Sequence, residues 1–223
     1  MSASFYLFVG LAVVAAIALA LLLRDKDENQ PAPANSTDPQ AWELGPIYDG
    51  VNVSWGANLY PVEGSGWGID IPLVGAGSVH YVTRPTGSLA DKIKVTLVCE
   101  LVMAPGVKLC PVKSPDSPSL LTLYFQRKGD NWSGVGKHET YRWFASFATE
   151  VDLAAKEYTI KAELHNNWTA IQTSTHATHP EAFDAALANA SRIGFVLGGG
   201  DGLGHGVSAT GPAKLIIKSF TVE

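Results

Sequence analysis

Hydrophobic positions in this chain follow two different patterns. Phe5–Leu23, FYLFVGLAVVAAIALALLL, runs 19 residues without a charged or strongly polar side chain, and Arg24 ends it. It has no polar stripe of the kind a soluble helix shows. As a helix it would span roughly 28 Å, about the hydrocarbon thickness of a bilayer. Met1–Ser4 holds no Lys or Arg, so the basic leader of a cleaved signal peptide is missing. The pattern predicts a retained transmembrane helix over residues 1–24. Arg24–Leu44 is charged at first and then reads QPAPANSTDPQ, poor in large apolar residues. That composition predicts an extended linker over residues 25–45.

The pattern changes to alternation from there on. Ile93, Val95, Leu97, Cys99 and Leu101 alternate with Lys94, Thr96 and Glu100, and the period of two turns all five inward. Leu121, Leu123 and Phe125 alternate with Thr122, Tyr124 and Gln126; Tyr158, Ile160, Ala162 and Leu164 alternate with Thr159, Lys161 and Glu163. Further strands are expected at Val51–Trp55, Trp67–Ile71, Val79–Thr83, Tyr141–Phe147, Trp168–Gln172, Ile193–Leu197 and Ala213–Val222. Clusters rich in Gly, Pro and Ser separate them. One helix is expected over Pro180–Ala190, with Pro180 at its first position, Thr178 or His179 as cap, and Phe183, Ala186, Leu187 and Ala190 as its buried stripe. Short strands in this number predict a mainly β domain over 46–223, an antiparallel β-sandwich of jelly-roll form with one short helix.

Composition narrows the partners. The formal net charge is −5, and Arg24 is the first charged residue, so the acidity lies outside the apolar helix. A mildly acidic domain argues against nucleic acid and against an anionic lipid surface as main partner. Arg24 and Lys26 after the helix favour a cytoplasmic domain. Asp25, Asp27 and Glu28 adjoin them, however, and a domain of this length can cross regardless of charge. The expected location is a bacterial inner membrane, single-pass, with the domain in the periplasm. The two cysteines, Cys99 and Cys110, are compatible with a disulfide in an oxidising compartment and equally with two free thiols. Five of the eight asparagines, Asn35, Asn52, Asn131, Asn167 and Asn189, stand in Asn-x-Ser/Thr sequons.

Candidate chemistry is sparse. Gly198–Gly206, GGGDGLGHG, lacks the Lys-Ser/Thr ending of a phosphate loop and the spacing of a dinucleotide fingerprint. It reads as a tight loop between two core strands, with Asp201 and His205 as its candidate ligand contacts. His165, His176 and His179 lie in a Thr-rich loop rather than on one helix face, which is a poor zinc site. There is no nucleophile elbow and no HExxH. No residue is nominated for catalysis, for a metal or for a cofactor. Of six tryptophans, Trp67, Trp143 and Trp168 fall in strand patterns and read as core. Trp132, in GDNWSG, sits in a turn beside Arg127, Asp130 and Asn131. A flat ring with polar neighbours suits a sugar or a protein partner, and equally a ring folded back over the sandwich. Trp42 is expected at a membrane interface or docking point.

IGFVLGGGDGLGHGVSATGPAKLIIKSFTVE, with TLYFQRKGDNWSG and VEGSGWGID upstream, resembles membrane-anchored proteobacterial proteins of unassigned function over roughly residues 60–223. The layout also resembles carbohydrate-binding modules and galactose-binding-like jelly rolls, in which a final core strand follows a glycine-rich loop. That resemblance implies a β-sandwich; function does not follow from fold.

Two readings emerge. In the first, the chain is a non-catalytic accessory subunit docked on the extrinsic face of a membrane complex of photosynthetic or respiratory type. Integral membrane subunits and lipid would meet its helix through Phe5, Phe8, Gly10, Ala12, Ala16 and Ala20, small residues among them permitting close packing. In the second, it is a membrane-tethered carbohydrate-binding module for cell-envelope glycans. Mass spectrometry of membrane-extracted protein should find the N-terminal peptide still attached. A mature start near Ala32 or Ala34 would overturn the retained anchor.

Overall fold

The computed structural model describes residues 37–64, 66–146, 149–150, 156–200 and 202–223. The expected helix over Phe5–Leu23, with Phe5, Phe8, Gly10, Ala12, Ala16 and Ala20, lies outside these residues, as does Asp201.

The alternation builds two antiparallel sheets. Among the described residues the first has seven strands: β1 (Glu43–Gly45), β6 (Tyr81–Pro85), β14 (Ala190–Gly199), β9 (Ser119–Arg127), β10 (Arg142–Ala145) and β13 (Trp168–Ala170) lie side by side, and β11 (Thr149–Glu150) adds to β9. The second runs β12 (Lys156–Glu163), β7 (Lys94–Met103), β16 (Ala213–Val222), β5 (Gly66–Asp70), β4 (Leu59–Val62). Two small ribbons complete the strands, β2 (Ile47–Tyr48) with β3 (Val51–Asn52) and β8 (Leu109–Pro111) with β15 (Val207–Ala209). Among the described residues this is the antiparallel sandwich of jelly-roll type, mainly β with one helix, that the pattern predicts for 46–223.

The core lies between the sheets. Val95, Leu97, Cys99 and Leu101 of β7 meet Leu121, Leu123 and Phe125 of β9 and Ile193, Phe195 and Leu197 of β14 in one buried cluster. Trp67, Trp143 and Trp168 belong to it, as expected. Two of these indoles keep a polar contact: Trp143 Nε1 donates to Thr140 O and Trp168 Nε1 to Glu163 O, each at 2.8 Å. The helix α1 (Pro180–Ala188) seals one side, with Phe183 edge-on to Trp143 at 4.9 Å and to Phe125 at 5.7 Å. It stops two residues before the expected end, because Asn189 closes it by donating its backbone N–H and its side-chain amide to Ala185 O, and Ala190 opens β14. His179 is its cap position but forms no side-chain capping bond.

Several expectations are corrected. Ile93 does not face inward: it is 69% exposed, because β7 begins one residue later and Ile93 forms the rim, where its carbonyl accepts from Leu164 N–H. Val51–Trp55 yields only the two-residue β3, and Trp55 is exposed. Trp42 is neither an interfacial nor a docking residue. It is buried in the core, 4.9 Å from Trp67 and 5.0 Å from Phe220. The reason is β1, which pairs with β6 in the register Glu43↔Thr83 and carries residues 43–45, expected in the linker, into the sheet. A short 3-10 turn at Pro39–Ala41, capped by the Asp38 carboxylate, leads the chain in. Arg84 is buried against the same rings, its guanidinium 5.6 Å from Trp42 and 5.3 Å from Phe220. Cys99 and Cys110 are free thiols, and burial pushes the Cys99 thiol up to about 12.

Leu97 and Ile93 separate these assignments. Leu97→Ala should lower unfolding free energy by ~2–5 kcal/mol, the range for a buried leucine. Ile93→Ala should stay within about 0.5 kcal/mol. Urea denaturation of both variants checks the pair; equal losses would show that the inward register is misassigned.

Candidate functional site

The seven-stranded sheet carries large side chains on its outer face as well as its inner one. Alternation along β9 sends Thr122, Tyr124 and Gln126 away from the core, and all three are buried. Neighbouring strands add Tyr81, Phe144 and Val196 to the same face, and Trp132, Ile171 and Leu203 pack over them as a second apolar cluster. Tyr81 meets Tyr124 edge-on at 5.0 Å and Trp132 edge-on at 5.1 Å, and Phe144 stacks on Tyr124 at 6.1 Å. Aromatic pairs in such geometries add roughly 0.5–1.5 kcal/mol beyond the area they bury.

Trp132 is held in place from both sides. Its φ of 66° lies in the left-handed region, where a bulky residue costs of order 1–3 kcal/mol unless its surroundings fix it. Here its N–H donates to Asp130 Oδ1 at 3.2 Å, and its carbonyl accepts from Arg142 Nη2 at 2.8 Å. The Arg142 guanidinium also lies 4.8 Å from the centre of the indole. The Asp130 side chain is fully buried and pairs with Arg142 Nε at 2.7 Å, while Gln126 Nε2 donates to the same carboxylate at 2.9 Å. A buried ion pair repays its desolvation only when further hydrogen bonds complete it. The Trp132 N–H and the Gln126 amide provide them for Asp130.

The glycine-rich loop forms the opposite wall. A Cβ on Gly204, at φ 74°, would come within 2.7 Å of the Tyr81 ring, and one on Gly206, at φ 89°, within 2.4 Å of the His80 imidazole. The loop backbone therefore rests directly on these two rings, and only glycine allows it. Gly204 O takes a hydrogen bond from His80 Nδ1 at 3.2 Å. A carbonyl can only accept, so Nδ1 carries the proton, and Nε2 accepts from Ser78 Oγ at 2.8 Å. Desolvation, against the Gly204 bond and with help from nearby His205, holds His80 below the ordinary imidazole value. Burial and then the Lys113 and Arg142 charges lower His205 as well. Burial raises the Tyr81 phenol, against the pull of Arg142.

Between these walls lies an open cleft of about 610 Å³, within the ~300–1,000 Å³ of small-molecule sites. Tyr81, Phe144 and Trp132 give it aromatic surface. His80, His205, Arg142, Ser146 and Thr169 give it polar groups, and Tyr48 of the β2–β3 ribbon borders it. Arg142 is the one formally charged residue among its described lining residues, and Asp130 neutralises it. Among the described residues, the lining of the cleft is thus partly aromatic and carries no uncompensated charge at neutral pH.

The expected contact residues divide. Trp132 and His205 line the cleft; Asp130 lies beneath it as a support. Asn131 is exposed and accepts from Ser133 N–H and Oγ at 3.0 and 2.7 Å, closing the turn. Arg127 stacks on Tyr141 at 4.8 Å and does not line the cleft. Arg142 takes the place expected for it, because β10 runs beside β9 with Arg142 opposite Gln126. The sequence reading also missed His80, Tyr81 and Phe144. Polar residues inside apolar strand runs, Gln126 and Arg142, were the available signal.

Because burial depresses both imidazoles, the unfolded chain binds more protons than the folded one just below the ordinary histidine value. Stability held at neutral pH should therefore fall as pH drops below about 6.5. Denaturation midpoints measured from pH 8 to 5.5 should show this decline, and His205→Gln should reduce it. A flat profile would overturn the neutral assignment.

No protein-family description matches this sequence, and no curated protein does. Among solved structures, it is similar to a xylan-binding module, CBM15, at 15% identity and TM-score 0.40, covering 82% of this chain and 89% of that one. It is also similar to CtCBM11, known from a solution structure with dynamics and binding studies, at 13% identity and TM-score 0.35, covering 82% and 95%.

Proposed function

We propose that this protein is a non-catalytic carbohydrate-binding protein, and that the cleft beside Trp132 is its binding site. The observation that carries the reading is the described lining, in which aromatic surface and hydroxyl, imidazole and charge-compensated guanidinium groups face one space. A neutral sugar has matching chemistry: a flat C–H face that packs on aromatic rings and a rim of hydroxyls that pair with polar groups. Rigid placement of Trp132 by Arg142 and Asp130 lowers the ordering cost of binding. Glycoside hydrolysis uses two carboxylates flanking the bond, whereas Arg142 is the charged group among the described lining residues. Recognition without turnover is the reading that fits.

The location belongs to the same proposal. Phe5–Leu23 would tether the chain to a bacterial inner membrane with the domain in the periplasm, within reach of envelope glycans. Docking on an integral membrane complex would rest on that segment.

Titration calorimetry of the full chain in a zwitterionic, non-glycosidic detergent against neutral polysaccharides tests the proposal. Wild-type protein should bind at least one of them, and Trp132→Ala should weaken that binding tenfold or more, about 1.4 kcal/mol. Binding to none of the panel, or binding indifferent to Trp132→Ala in a folded variant, would overturn it.

A further inference from the structure

The cleft does not end at the last strand of its sheet. A second pocket of about 360 Å³ opens beyond β13, lined by Ser146, His165, Asn166, Asn167, Thr175 and His176 over the buried Trp168. Ser146 lines both spaces. Its hydroxyl is 2.8 Å from that of Thr169, which lines the first. Its N–H donates to Asn167 O at 2.8 Å, on the side of the second.

The second pocket is built rather than incidental. His176 N–H donates to Trp168 O at 2.9 Å, and the His176 ring packs on Phe183 with 4.4 Å between centroids. His165 Nε2 meets Lys92 O at 3.0 Å, so that nitrogen carries a proton; in the neutral ring Nδ1 is then an acceptor. Asn167 holds the left-handed conformation, φ 37°, in the turn before β13. The lining thus offers two carboxamides, two imidazoles and two hydroxyls, with no formally charged carboxylate or ammonium group among its described residues. A carboxamide donates and accepts side by side, which suits adjacent hydroxyls on a sugar ring.

The two spaces differ in chemistry. The first supplies stacking surface; the second supplies hydrogen-bonding groups. From β6 to β13 the first alone crosses four strand spacings, roughly 19 Å at the usual separation. We infer that the second pocket is a further subsite of the same binding face, and that the ligand is an extended oligosaccharide whose chain crosses the sheet and passes Ser146 into it. This rests on the carbohydrate-binding reading of the first cleft.

The test uses the full chain in the same detergent with β-1,4-linked gluco-, xylo- and manno-oligosaccharides of two to six residues. Affinity in the ladder that binds should rise at least tenfold from the shortest to the longest member. Asn166→Ala and His165→Ala, both at exposed positions, should remove that gain while leaving the affinity for the shortest binding member unchanged. Equal affinity along the ladder, or a length dependence that survives both variants, would overturn the subsite and leave the first cleft standing. Binding to none of the ladders would overturn the subsite, and the first cleft would then stand or fall on the polysaccharide panel alone.

Discussion

Because β9, β14, β6 and β10 carry bulky side chains on both faces, the larger sheet has two surfaces to shield from water. The smaller sheet covers the inner one, where Leu123, Phe125, Phe195 and Val82 meet Leu97 and Leu101. Nothing in the sandwich itself covers the outer one, with Tyr81, Tyr124, Phe144 and Val196. Two loops do so instead, the turn carrying Trp132 and the glycine-rich segment after β14. Each meets the sheet by a different route, one through an inserted indole, the other through bare backbone laid on Tyr81 and His80. The cleft is the space the two covers leave between them.

This dependence explains why a charged pair sits beneath an apolar cluster. Burial penalises an isolated carboxylate heavily, so Asp130 needs partners at that position. Arg142 neutralises it and also reaches the Trp132 carbonyl and ring. One side chain thereby ties the turn to the sheet, orients the aromatic wall and cancels a charge in the cleft. The pair contributes placement more than net stability, as buried ion pairs generally do when weighed against apolar replacements.

Much of the sandwich was legible because the core strands obey a period of two. β7 and β12 are visible in Val95–Leu101 and Tyr158–Leu164, with the error confined to the rim at Ile93; β16 breaks the period where its register shifts between Ile217 and Ser219. The outer cluster was not legible, because alternation assigns one face to the core and the other to solvent by default. Tyr124 and Thr122 therefore read as exposed, whereas the loops bury them. Trp132 and His205 could be singled out from local composition. Arg142 could not be paired with Asp130 from sequence, since the bond depends on the β9–β10 register rather than on spacing along the chain. Trp42 was misread for a related reason. A polar, proline-rich neighbourhood gave no hint that three residues of β1 would carry it into the core.

The sequons acquire meaning from this geometry. Asn131 adjoins Trp132 on an exposed turn, and Asn167 lines the pocket beyond β13. A host that modifies such asparagines would attach a covalent sugar tree at the mouth of each space. Protein made there would carry a glycan beside each opening, and a bacterial host would deliver the same fold with both openings clear. The choice of expression system thus decides whether the two spaces are open to solvent at all.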